Sequence, residues 1–123
     1  MSDVDALFGK QTRLALNHFA IGTETFPREF IRALGLVKRC AAQANIDCLQ
    51  FEKNIGLAIA EASLSVINGE HDQQYPLTIW QSGSGTQTHM NTNEVIANLA
   101  TQLLDSKIQV HPNDHCNMGQ STN

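Results

Sequence analysis

Basic residues are few in this sequence: eight Lys and Arg stand against twelve Asp and Glu among 123 residues, for a net charge of −4. They are scattered rather than clustered, which speaks against a nucleic-acid or anionic-membrane surface. No apolar run reaches the roughly 18 residues of a membrane span. The opening Met1-Ser2-Asp3-Val4-Asp5 is acidic where a secretory signal would be basic, so a soluble, cytoplasmic chain is expected. Cysteine is limited to Cys40, Cys48 and Cys116, an odd set without CxxC spacing. Neither a disulfide framework nor a thiolate zinc site is indicated, and reduced, structural thiols are expected. Repeats and linker-like stretches are also missing. With 41% hydrophobic and 16% charged residues, the composition is that of one folded domain rather than a disordered chain.

What the chain does have is helical periodicity. Phe30, Leu34, Val37, Ala41 and Ala44 recur at spacings of four and three, one face of a helix that Pro27 would open. Phe51, Ile55, Ile59, Ala62 and Val66 form a second stripe, with Asp47 and Gln50 at capping-box spacing before it and Gly69 as a C-terminal stop. Together these predict a helical hairpin. A short helix is expected over 11–19, broken at Ile21-Gly22-Thr23, and another over 92–104. In the latter Asn91 would cap, Glu94 would sit near the positive end of the dipole, and Ile96, Leu99 and Leu103 would be buried. Ile108-Gln109-Val110 alternates like a very short strand, although three residues before a proline also suit an extended loop. The fold class expected is mainly α.

Two segments, 81–93 and 111–123, are instead polar and rich in Gly, Ser, Thr and Asn. In Gln81-Ser82-Gly83-Ser84-Gly85-Thr86-Gln87 the glycines let backbone N–H groups converge and the hydroxyls add donors, which suits an anion, the more so beside a helix N-terminus. A plain flexible turn is the alternative. The run is not a P-loop, a dinucleotide fingerprint or a nucleophile elbow. The second segment carries His111, Asp114, His115, Asn113 and Asn117. His111 and His115 have a zinc-compatible spacing only on a continuous helix, which Pro112 and Asn113 argue against. The alternative is that Asp114 and the Asn side chains bond their own turn. Trp80, Tyr75 and the five Phe read as core or interface fillers. His18, His71 and His89 read as surface or satisfied histidines.

Taken together the segments resemble a known family. Trp80-Gln81-x-Gly83-Ser84-Gly85-Thr86-Gln87, Met90-Asn91-x-Asn93-Glu94-Val95-Ile96-Ala97-Asn98, His111-Pro112-Asn113-Asp114-His115-x-Asn117 and Gln120-Ser121-Thr122-Asn123, in that order, look like the amino-terminal third of a class II fumarase of the fumarase/aspartase superfamily. Gln11-Thr12 and Ile31-Arg32-Ala33-Leu34-Gly35, with the lysine-bearing stretch after them, resemble the same family's start. Thr122 and Thr92 stand where fumarases commonly carry Ser and Val and lean toward aspartase. His111 before Pro112, and Trp80 with Gly83-Ser84-Gly85-Thr86, favour fumarase.

The resemblance implies a mainly α-helical homotetramer with a central helical bundle, active sites built from three subunits, no metal or other cofactor, and reversible hydration of fumarate to malate. It places Ser84, Gly85 and Thr86 on a loop binding a substrate carboxylate and Ser121, Thr122 and Asn123 on a second substrate-binding segment. His111, Pro112, Asn113 and Asp114 match a secondary dicarboxylate site. The family's general acid and base lie beyond Asn123, as do the central bundle and the carboxyl-terminal domain. Residues 1–123 are therefore expected to form an incomplete amino-terminal lyase domain, inactive alone. The alternatives are an aspartate ammonia-lyase of the same superfamily and a non-catalytic dicarboxylate-binding relic.

Overall fold

A computed structural model describes residues 5–121. Four helices carry the fold: α1 (Lys10–His18), α2 (Arg28–Asp47), α3 (Lys53–Ile67) and α4 (Thr86–Leu103). A 3-10 turn lies at Asp72–Gln74 and a π-helical turn at Pro112–Cys116. The only bridge among the described residues pairs Thr25 with Thr78, so the mainly α expectation holds. Ile108–Val110 forms no strand; Val110 is fully buried, and its amide donates to Thr101 Oγ1 at 2.9 Å. Among the described residues no helix is long and apolar enough to cross a membrane.

The hairpin of α2 and α3 forms as predicted. Pro27 stands at the N-cap of α2, where its missing N–H costs nothing. Gly69 follows the end of α3 at φ +84°, the left-handed conformation that stops a helix. Asp47 and Gln50, however, form no capping box, because Asp47 is the last residue of α2 and α3 opens at Glu52 without a side-chain cap. The carbonyls at the end of α3 are met by Arg28, which donates to Val66 O at 2.9 Å and to Ile67 O, and pairs with Asp72 at 2.5 Å. A cation at a helix C-terminus also complements the dipole there.

The face that α2 buries differs by one residue from the periodic stripe. Ile31, Gly35, Lys38 and Ala42 are buried, while Val37 is 61% exposed and Phe30 also lies open. Apolar periodicity cannot choose between two adjacent stripes, and Gly35 decides. A Cβ there would lie 2.9 Å from Ile67 Cγ1 and 3.2 Å from both Ile67 N and Ser63 O, so α3 approaches α2 where the side chain is missing. Replacing Gly35 with Val should destabilise the hairpin by about 1–3 kcal/mol through overpacking. Denaturant unfolding, compared with a Val37→Ala control on the exposed stripe, checks this.

α3 and α4 hold the centre of the core, where Ile59, Ala62, Val66, Val95, Ile96 and Ala100 are nearly inaccessible. The predicted α3 stripe is buried from Ile55 to Val66, with Phe51 partly buried just before the helix. In α4, Ile96 is buried and Leu99 partly so, but Leu103 is 53% exposed. Tyr75 joins the core, whereas Trp80 is 51% exposed and its indole N–H donates to Glu24 Oε2 at 2.9 Å. That bond holds the exposed Glu24 carboxyl below its ordinary range. Cys116 is buried, while Cys40 and Cys48 are exposed free thiols, so a packing role belongs to Cys116 alone.

Candidate functional site

The first polar segment is the start of α4 itself. The helix begins at Thr86, not near Asn91 or Thr92, because Gly85 at φ +77° turns the chain directly into it. Thr and Asn are weak helix formers, yet tertiary hydrogen bonds hold them in α4. Thr88 Oγ1 donates to Gln81 Oε1 at 2.8 Å, Asn91 Nδ2 to Gln74 O at 2.9 Å and Asn98 Nδ2 to Leu7 O at 2.6 Å. Asn91 is thus a buried mid-helix anchor rather than a cap. Glu94 likewise belongs to another element. Its carboxylate accepts from Gln11 N at 3.0 Å, Thr12 N at 2.9 Å and Thr12 Oγ1 at 2.7 Å, which places it at the N-terminus of α1 rather than of α4.

Around Gly85 the hydroxyls form a connected chain. Ser82 Oγ lies 3.0 Å from Ser84 Oγ and donates to Gln87 Oε1 at 2.6 Å, and Ser84 Oγ donates to Thr86 Oγ1 at 3.2 Å. Ser84 and Gly85 are exposed and Thr86 partly so. The opening turn of α4 therefore presents hydroxyls together with the first amides of an eighteen-residue helix, an arrangement that favours an anion.

A cleft of about 640 Å³ opens beside this turn. Phe26, Phe30, Leu34, Val37 and Ile79 are its apolar lining, and Lys38, Gln81, Ser82, Gly83, Gly85, Thr88, His89, Gln120 and Ser121 contribute the rest. The structure thus brings Ser121, from the end of the described chain, to the cleft that Gly85 lines. Ser84 and Thr86 adjoin that lining through Gly85. Thr122 and Asn123 lie outside the described residues.

Lys38 is the buried cation of the cleft lining. It is only 2% exposed, yet its Nζ reaches His89 Nε2 at 2.7 Å, Gln120 Oε1 at 2.9 Å, Asn117 Oδ1 at 3.2 Å and Cys116 O at 3.4 Å. Burial lowers its pKa to about 8, because a charged ammonium is poorly solvated there. Burial likewise pushes the Cys116 thiol up to about 12 and raises Tyr75. Sequence reasoning missed Lys38 as a site residue and left His89 without a partner. The available signal was a lysine interrupting the small and apolar residues Ile31, Gly35 and Ala42 at helical spacing.

The second polar segment folds into a five-residue π-helical turn, capped by His111 rather than by Asx side chains. His111 Nδ1 accepts from Asn113 N at 3.2 Å and Asp114 N at 3.1 Å, while His111 N donates to His115 Nδ1 at 2.8 Å. Both imidazoles therefore use Nδ1 as an acceptor, which assigns the Nε2–H tautomer if they are neutral. His111, Asn113 and Asp114 are exposed, Pro112 is partly buried, and the turn stands apart from the cleft lining. Among the described residues no three His, Cys, Asp or Glu side chains converge as metal ligands.

The chain belongs to the lyase family, whose profile matches residues 1–123. Among its relatives are class II fumarate hydratases. It is 50% identical over 123 residues to that of Myxococcus xanthus, covering 97% of this chain and 26% of the relative. It is 51% identical over 122 residues to that of Halobacterium salinarum, covering 97% and 26%. The crystal structure of recombinant class II fumarase from Schistosoma mansoni matches with a TM-score of 0.93 at 39% identity, over 98% of this chain and 26% of that one. Fumarate lyase:delta crystallin from Brucella melitensis matches at 0.92 and 36% identity, over 99% and 29%. The chain spans about a quarter of the length of the curated relatives it matches.

Proposed function

We propose that residues 1–123 are the amino-terminal lyase domain of a class II fumarate hydratase, a cytoplasmic homotetramer that interconverts fumarate and L-malate. The observation that carries this reading is identity of about half to class II fumarate hydratases along nearly the whole chain. In the dehydration direction a base takes the C3 proton of malate and the electron pair spreads onto the adjacent carboxylate. The C2 hydroxyl then leaves, protonated, as water, and the double bond forms. The acid and base come from parts of the whole protein other than these residues.

This chain's share is to bind and stabilise charge. Ser84, Gly85 and Thr86 hold one substrate carboxylate at the start of α4, and Ser121, Thr122 and Asn123 form a second substrate-binding segment, of which Ser121 lines the cleft. Neutral hydroxyl, amide and backbone N–H donors suit that work, since they gain strength as charge grows on the carboxylate without titrating themselves. His111, Pro112, Asn113 and Asp114 form a secondary dicarboxylate site on their own turn. The exposed hydroxyls around Gly85 and the helix N-terminus behind them support the first assignment.

The full-length protein should convert malate to fumarate, read by the absorbance of the new double bond, and should release no ammonia from aspartate. Ammonia release without malate turnover would establish the sister lyase instead. Binding of dicarboxylate with neither reaction would establish the non-catalytic reading.

A further inference from the structure

We propose that Lys38 is a positioning residue of the dicarboxylate site, its ammonium clamping the segment that carries Ser121 against α4. The inference rests on the fumarase reading and adds to it a residue outside the substrate-binding loops. Three elements meet at one atom: Nζ extends from α2, His89 belongs to α4, and Asn117 and Gln120 precede Ser121. Gln120 is held from both ends of its amide. Its Oε1 accepts from Lys38 at 2.9 Å, and its Nε2 donates to Cys116 O at 3.0 Å and Met118 O at 3.1 Å. Its side chain therefore cannot turn without breaking bonds on both sides, and Ser121 is the next residue. Lys38, His89, Gln120, Ser121 and Gly85 all line the same cleft.

The proton count favours the charged lysine. An ammonium has three N–H donors, and the three shortest contacts, at 2.7, 2.9 and 3.2 Å, go to three acceptors if His89 presents an unprotonated Nε2. The backbone carbonyl of Cys116, at 3.4 Å, is the weakest partner. Loss of the proton leaves two donors for these acceptors and removes the charge that strengthens them. The titratable groups that face Lys38 are His89 from α4 and Cys116 from the π-helical turn. Burial pushes the Cys116 thiol up to about 12, so it is neutral over the range in which Lys38 titrates. The clamp is therefore expected to weaken as pH rises through about 8.

A clamp that places Ser121 acts on bound substrate and transition state alike, so its loss shows in KM more than in kcat. The test is steady-state kinetics of malate dehydration by the full-length protein between pH 6.5 and 9.5, with a thermal melt on each variant. Lys38→Met is expected to raise KM about tenfold at pH 7 while kcat falls less than about threefold. It should also abolish the rise of KM expected of the wild type above about pH 8. Asn45→Ala removes a different bond to the segment, Asn45 Nδ2 to Met118 O at 3.1 Å, outside the cleft, and should change KM less than about twofold.

Unchanged KM and pH profile in Lys38→Met overturn the proposal, as does an equal rise in Asn45→Ala, which would mean general loosening of the segment. If Lys38→Met does not fold, His89→Leu takes its place, keeping the ammonium and removing one acceptor. It should raise KM about three- to tenfold, and an unchanged KM there overturns the clamp. Wild type active on malate with unaffected variants rejects Lys38 alone. Wild type inactive on malate and fumarate rejects the fumarase reading and this inference with it.

Discussion

Thr86→Val in the full-length protein is expected to lower kcat for malate dehydration by about a hundredfold, since one donor to a developing negative charge is worth on the order of 3 kcal/mol of barrier. Valine keeps the branched shape of Thr86, the first residue of α4, so the helix start is preserved while the hydroxyl is lost. Ser84→Ala should cost about as much, because its hydroxyl is hydrogen-bonded to that of Thr86 and the proposed site sets both on one carboxylate. Steady-state kinetics decides, with a thermal melt to show that each variant is folded. An unchanged kcat in either variant removes that residue from the carboxylate site.

The second large effect is on stability. Glu94 is 4% exposed, and its carboxylate satisfies two amides and a hydroxyl at the start of α1. Glu94→Ala leaves those donors without an acceptor, and bonds to a charged group are the strong ones. The expected cost is about 3–5 kcal/mol. Because the lost bonds join α1 to α4, the cost should appear first as local opening. Amide hydrogen exchange over Lys10–His18 should speed up by at least about a hundredfold in the full-length protein. Gly9→Ala should act in the same direction, since a Cβ there would stand 2.2 Å from Glu94 Oε2. Protection of α1 unchanged in both variants would show that its docking does not depend on this carboxylate.

These residues also mark how much could be read without the structure. Local signals placed α1, α2 and α3, because Pro27 at an N-cap, Gly69 at a helix end and four-and-three apolar spacing act through the backbone of their own segment. The start of α4 was placed too late for the converse reason. Thr88 and Asn91 look like loop residues locally and are held in a helix by partners 7 and 17 positions away. Glu94 likewise suggests a cap for its own helix and in fact serves α1, 82 and 83 residues back. His111 capped its turn through an imidazole, a role composition assigned to Asx residues.

The sequence alone determined the helical class, the hairpin, the two polar segments and, through ordered motifs, the family. The first three follow from spacing and composition along the chain, which periodicity and turn chemistry report directly, and the family from the resemblance of the ordered motifs. Only the tertiary structure decided which face of α2 is buried, that Ser121 comes to the cleft lined by Gly85, and that Lys38 joins both in that lining. The reason is close packing. Which of two apolar stripes is covered depends on where Gly35 lets α3 approach. A buried ammonium is tolerable only because His89, Asn117 and Gln120, each at least 51 residues away in the chain, supply its acceptors.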